Sequence, residues 1–172
     1  MRAMSANSPR LARTSLLLVV ALIGFLALAV GPISDPAPVQ AGTAGNMESK
    51  LLGWINDARA ARGKPRLRST DRLKDMAGDR ASTMAQTGVM QHTSCLSCEL
   101  NSRDVSWDSC GEVIAYTTYP WGHEAARSIY RGWKNSPDHW KLLMSRSYHR
   151  IGIGVAYRSS EHKTFGAAVL VG

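Results

Sequence analysis

The chain predicts an α+β fold in which helices cover the faces of a mostly antiparallel sheet. Three observations predict it. Apolar residues recur at helical spacing between residues 46 and 135, they alternate at strand spacing from Ile151 onwards, and 172 residues suit one domain around a single core. No internal repeat is present.

The N-terminus reads as a targeting segment. Arg2, Arg10 and Arg13 precede an apolar run from Leu16 to Val30, and a small-residue site, Val39-Gln40-Ala41 before Gly42, follows a Pro-rich stretch. This is the order of a secretory signal peptide over residues 1–41. The same run, left uncleaved, would serve as an N-terminal membrane anchor. Either way the domain, residues 46–172, is expected outside the cytoplasm. Residues 31–45 carry Pro and Gly and too little apolar surface to fold, so 42–45 reads as the end of a flexible linker.

The first helix begins near Asn46, with Leu51, Ile55 and Ala58 on one face, and stops at Gly63 and Pro65. Thr70 or Asp71 caps a second, with Leu73, Ala77, Ala81 and Met84 as its buried stripe and Gly88 as its end. Residues 91–110 are polar, carry cysteines and lack periodicity, so they read as a long loop. Glu112 to Thr117 reads as a short extended segment. Ala125, Ile129 and Trp133 mark a third helix between Gly122 and Asn135, and Ser136-Pro137-Asp138 begins a fourth. Ile151, Ile153, Val155 and Tyr157, then Phe165, Ala167, Val169 and Val171, alternate on either side of a polar turn and form an antiparallel hairpin.

The three cysteines, Cys95, Cys98 and Cys110, leave one unpaired in an oxidising compartment. A lone Cys-x-x-Cys without a second copy is a poor zinc knuckle, so the expected disulfide joins Cys110 to Cys95 or Cys98. It would fix the segment between His92 and Glu112. The net charge is +8. Removing residues 1–41 takes three of the 21 basic and one of the 13 acidic residues, which leaves +6. On an exported domain this favours anionic cell-envelope polymers or lipid head groups over nucleic acid. The alternative is that scattered charge only confers solubility. A monomer is expected.

His92, Glu112 and His139, far apart in sequence, can meet only through folding. They suit a metal centre, a proton-transfer site or a polar core. His139 falls in the first turn of its helix, where the positive end of the dipole opposes protonation and favours the neutral form that ligates metals. Ser136 lies three residues from His139, but an N-cap hydroxyl is taken by a backbone N–H and no Gly-x-Ser-x-Gly elbow exists. His123, His149 and His162 have surface or strand-end readings. Trp54 and Trp133 read as core, whereas Trp140 and Trp121 flank the cleft. Tyr116, Tyr119 and Trp121 around Pro120 form a candidate aromatic rim for lipid or glycan.

Leu51-Leu52 to Ile55-Asn56 with Arg59 and Gly63, then Leu67, Leu73, Ala77 and Arg80, then His92, Gly111-Glu112 with Ile114-Ala115, and Trp133-x-x-Ser136-x-x-His139 before Ile151-Gly152-Ile153-Gly154-Val155-Ala156, resemble the CAP superfamily of cysteine-rich secretory, antigen 5 and pathogenesis-related proteins. The resemblance covers residues 46–172 and is nearest to the bacterial SCP-like extracellular branch. It implies an α-β-α sandwich and a cleft in which His92, Glu112 and His139 hold a divalent cation such as Zn²⁺, with Trp140, Trp121, Tyr116 and Ser136 lining it. The chain departs from that pattern in three places. Lys134, Asn135 and Ser136 stand where a second acidic residue is usual, Glu124 and Asp138 being unmatched stand-ins. Val113 and Leu142 replace polar residues. The expected function is a secreted, non-enzymatic binding domain for a cation and a small apolar or lipid ligand. Alternatives are a zinc-dependent peptidase or esterase and an envelope protein that uses charge alone.

Overall fold

The structure, a computed structural model, describes residues 38–172; the apolar run at 16–30, and with it the choice between signal peptide and anchor, lies outside the described residues. Helix α1 runs Pro38–Ala60, strand β1 Arg68–Ser69, α2 Asp71–Thr87, α3 Leu96–Ser102, β2 Cys110–Thr117, α4 His123–Asn135, α5 Pro137–Leu143, β3 Arg150–Arg158 and β4 Lys163–Val171. Helix α1 starts earlier than the expected linker allows. Pro38 occupies its first position, where a missing N–H costs no helical bond, and residues 38–45 form its first turns. Among the described residues no helix is long and apolar enough to cross a membrane.

The sheet is mixed, in the order β1-β3-β4-β2. Strand β3 pairs antiparallel with β4, as the alternation predicts, and β4 with β2. The short β1 adds parallel to β3 through Arg68↔Arg150 and Ser69↔Ile151. The two faces carry separate cores because successive strand residues point to opposite sides. Ile151, Ile153, Val155, Ala168 and Leu170 pack beneath α1, α4 and α5 with Leu51, Ile55, Ile129 and Trp133. On the other face, Val169 and Val171 meet Leu73, Met76 and Leu100, and Phe165 and Ala167 meet Ala81 and Met84. The α-β-α sandwich implied by the resemblance is therefore present.

Helix α2 lies unusually close to β3. A Cβ on Gly152 would sit 1.9 Å from the carbonyl carbon of Leu73, and one on Gly154 would sit 2.2 Å from the backbone nitrogen of Gly78. Two alternate residues of β3 thus give up their side chains so that helix backbone rests on strand backbone. The end of α2 is set by Gly88 in the left-handed region at φ 76°, whose N–H bonds Met84 O at 2.8 Å, as the sequence predicts. Arg158 of β3 adds bonds to the α2 carbonyls of Ala85 and Gln86 at 2.9 and 2.6 Å.

The loop at 91–110 is shorter than expected, because α3 occupies its middle. Helix α3 buries only Leu100, too little apolar periodicity for a seven-residue helix to show in the sequence. The disulfide joins Cys95 to Cys98, not Cys110. The turn into α3 brings those two Cα atoms to 5.2 Å, within bridging range. Cys110 opens β2 instead and packs among Leu73, Val171 and their neighbours as a free thiol, with burial pushing its pKa up. The expected splint between His92 and Glu112 is consequently absent, and other contacts perform that task.

Candidate functional site

Glu112 is the centre of the site. It lies on edge strand β2 opposite Val169, and its side chain is 4 % exposed. Each carboxylate oxygen is engaged: Arg80 Nε of α2 donates to Oε1 at 3.0 Å, while Oε2 meets His92 Nδ1 at 2.7 Å and accepts from Thr93 N at 3.2 Å. A buried carboxylate with several charge-assisted partners is a firm anchor. Arg80 also donates to Gln91 O at 2.9 Å, so one guanidinium holds both the strand residue and the histidine loop. The preceding Gly111 has a separate reason: a Cβ there would lie 2.7 Å from the Tyr148 hydroxyl, which bonds Cys110 O at 3.1 Å.

His139, in the first turn of α5, brings its ring to 6.3 Å from that of His92, centroid to centroid. Burial pushes its pKa below the ordinary histidine value, the nearby His92 adds to this, and Asp138 opposes it. His139 is thus predisposed to be neutral, as the sequence predicts. The leading cause is burial rather than the helix dipole, which a seven-residue helix supplies weakly. Because the native ring binds a proton less readily than the unfolded one, its share of stability is present above the ordinary imidazole range and lost as pH falls through the lowered value.

Arg80 and Thr93 are the site residues that sequence reasoning missed. Arg80 had a signal: it falls three residues after Ala77 and four before Met84 in the buried stripe of α2, a core-facing position filled by a charge, which demands a buried partner. Thr93 had none beyond adjacency to His92.

Among the described residues, none of the other expected cleft residues makes a ring contact with either histidine. Trp140 turns to Tyr130, at 6.2 Å between rings, and lies under the Arg62 guanidinium at 5.3 Å. Trp121 packs against Tyr157 at 6.1 Å, with its buried Nε1–H unpartnered among the described residues. Tyr116 lies against Phe165 with Lys163 over its ring. Ser136 is the N-cap of α5 but makes no capping side-chain bond, so the backbone N–H expected to occupy its hydroxyl does not do so.

The donor chemistry fits a divalent cation in one respect only. With Nδ1 on Glu112, His92 retains Nε2 as a donor, which is the carboxylate–histidine arrangement that orients metal ligands. Oε2 of Glu112 already meets two partners and Oε1 one, so in this arrangement Glu112 serves as the group that orients His92. Among the described residues no group of three or more His, Cys, Asp or Glu is placed to hold a metal ion. Two imidazoles on one tetrahedral Zn²⁺ at about 2 Å would set their centroids roughly 5 Å apart, so the pair would have to close by roughly 1 Å.

An α-β-α sandwich bearing two histidines and an arginine-held carboxylate beside its edge strand defines the class. The sequence profile of the CAP group, the cysteine-rich secretory protein family, matches residues 52–171, and the chain belongs to this family. Among solved structures it is similar to an extracellular protein containing a SCP domain from Bacillus anthracis, at 20 % identity and a TM-score of 0.67 over 80 % of this chain and 44 % of that one. It is also similar to a cysteine-rich secretory protein from Staphylococcus aureus, at 17 % identity and a TM-score of 0.62 over 80 % and 40 %. A third is NaASP2 with Zn²⁺, at 12 % identity and a TM-score of 0.55 over 80 % and 83 %. The chain spans less than half the length of the two bacterial proteins, and at these identities the likeness shows the fold. No curated protein matches the chain.

Proposed function

We propose that this CAP domain is an exported, non-enzymatic binding module whose His92 and His139 form a two-imidazole cation site, with Glu112 and Arg80 positioning His92. The observation that carries the reading is His92 tied through Nδ1 to a buried carboxylate at 2.7 Å, 6.3 Å from a second imidazole disposed to be neutral. A cation held by two protein donors takes its remaining ligands from water or from the bound partner, so binding is weak and completed by the ligand. Export is supported by the leader-like N-terminus. An apolar ligand at this cleft is not part of the proposal, because Trp140, Trp121 and Tyr116 pack elsewhere.

Titrating Zn²⁺ into the purified chain tests this. One ion per chain is expected, with affinity falling at least about tenfold in His92→Ala and His139→Ala and about tenfold in Glu112→Gln, the range found for groups that orient a ligand. Binding unchanged in both histidine variants overturns the cation reading. Peptidase or esterase turnover that disappears with either substitution overturns the non-enzymatic one.

A further inference from the structure

The strongest feature outside the histidine cleft lies along α4. Its inner face, Ala125, Ala126, Ile129 and Trp133, is buried. The outer face carries Arg127, Arg131 and Lys134, which with Trp54 of α1, His123 and Tyr130 line a cavity of about 370 Å³. The spacing i, i+4, i+7 puts the three cations in one row, spanning roughly 10 Å at the helical rise. Among the described residues no carboxylate lines the cavity. Two acids lie near its edge, Asp57, paired with Arg66 at 3.3 Å, and Glu124, 3.9 Å from the lining residue His123, and neither pairs with the three cations. None of the three cations makes an ion pair or hydrogen bond among the described residues. Three like charges in a row repel one another, and the single Glu124 one turn before Arg127 offsets them only in part, so an anion laid along them gains from all three.

The aromatic side of the cavity is preformed. Trp54 meets His123 edge-on at 5.6 Å and Tyr130 at 5.6 Å, and the Tyr130 hydroxyl donates to Trp54 O at 3.5 Å. Both rings are half-buried, so little side-chain entropy is lost when a flat, weakly polar face packs on them. A charged row beside such a platform matches a chain that is anionic along one edge and apolar on its ring faces, the chemistry of an acidic polysaccharide. A single small anion would engage only part of the row. A lipid surface would need protruding apolar side chains, and the exposed large ones, Val89, Met90, Tyr116 and Tyr119, all lie outside the cavity.

We propose that the α1–α4 groove of Trp54, Tyr130, Arg127, Arg131 and Lys134 binds a linear acidic glycan. The groove takes from the proposed function only the extracytoplasmic setting and needs no metal, so its test is run in chelator, where failure of the cation site has no bearing. Polygalacturonate, neutral dextran of matched length, single-stranded oligothymidylate and phosphatidylglycerol–phosphatidylcholine vesicles are each titrated against the full chain. Polygalacturonate is expected to bind in a salt-sensitive manner and dextran not to. The triple variant Arg127→Gln/Arg131→Gln/Lys134→Gln should bind at least about tenfold more weakly, whereas Arg68→Gln/Arg72→Gln/Arg103→Gln, with the same loss of charge outside the groove lining, should change affinity less than about threefold. Trp54→Leu, its folding checked by thermal melting, should weaken binding about fivefold. Equal losses in the two triple variants, or tighter binding of the oligonucleotide or the vesicles than of polygalacturonate, would overturn the proposal.

Discussion

Gly152→Ala is expected to destabilise the domain by about 4 kcal/mol or more, at the extreme of single-residue effects. The added Cβ would meet the Leu73 carbonyl carbon and oxygen at 1.9 Å, and backbone cannot rotate away as a side chain could. Helix α2 would have to lift from β3 and open the core that Leu73, Met76 and Ala77 share with Val169 and Val171. Arg80 rides on the same helix, so the support of Glu112 would move with it. Gly132→Ala is the contrast. Nothing lies within 4 Å of a Cβ there and the residue is inside α4, so it should gain about 0.5–1 kcal/mol from helix propensity. Thermal and denaturant melts of the two variants should shift in opposite directions.

Arg59→Met should cost about 3–5 kcal/mol although it replaces a charge in the core by an apolar residue of similar length. Arg59 is fully buried, and its guanidinium serves carbonyls rather than a carboxylate. Nε donates to Pro65 O at 2.7 Å, Nη1 to Leu143 O and Ser145 O at 2.8 Å each, and Nη2 to Tyr148 O at 3.2 Å. One side chain therefore joins the end of α1 to the turn between α5 and β3. Methionine would strand the carbonyls of Leu143 and Tyr148, whose bonds are buried, and the planar fork that reaches several at once has no lysine equivalent. Denaturant unfolding should show a lower midpoint with little change in slope.

The helices that the sequence made legible are those with punctuation at both ends. Thr70 and Gly88 bracket α2, and Gly122 and Ser136 bracket α4; the left-handed Gly88 acts through a local backbone bond, whereas Thr70 and Ser136 mark helix starts without a side-chain cap bond. Helix α3 was not legible, since seven residues with one buried leucine carry no periodic signal. The cysteine pairing failed for a related reason: sequence order does not say that Cys110 opens a strand and turns into a core. Within the site, His92, Glu112 and His139 were legible through their order along the chain, but the sharing of Glu112 between Arg80 and His92 depends on tertiary geometry. The aromatic residues show the same limit. Periodicity tells which face of a helix is buried but not against what, and Trp140 turned to Tyr130 and Arg62 rather than to the cleft beside its neighbour His139.

The central claim, a cation site of two imidazoles in which Glu112 positions rather than ligates, is tested most directly by imidazole nitrogen NMR of the chain across pH and during Zn²⁺ titration. His139 should titrate below the ordinary histidine value. On adding Zn²⁺ both rings should shift together at one equivalent, His92 through Nε2 while its Nδ1–H stays on the carboxylate. A shift confined to one ring, or a His92 that binds through Nδ1 after releasing Glu112, would contradict it.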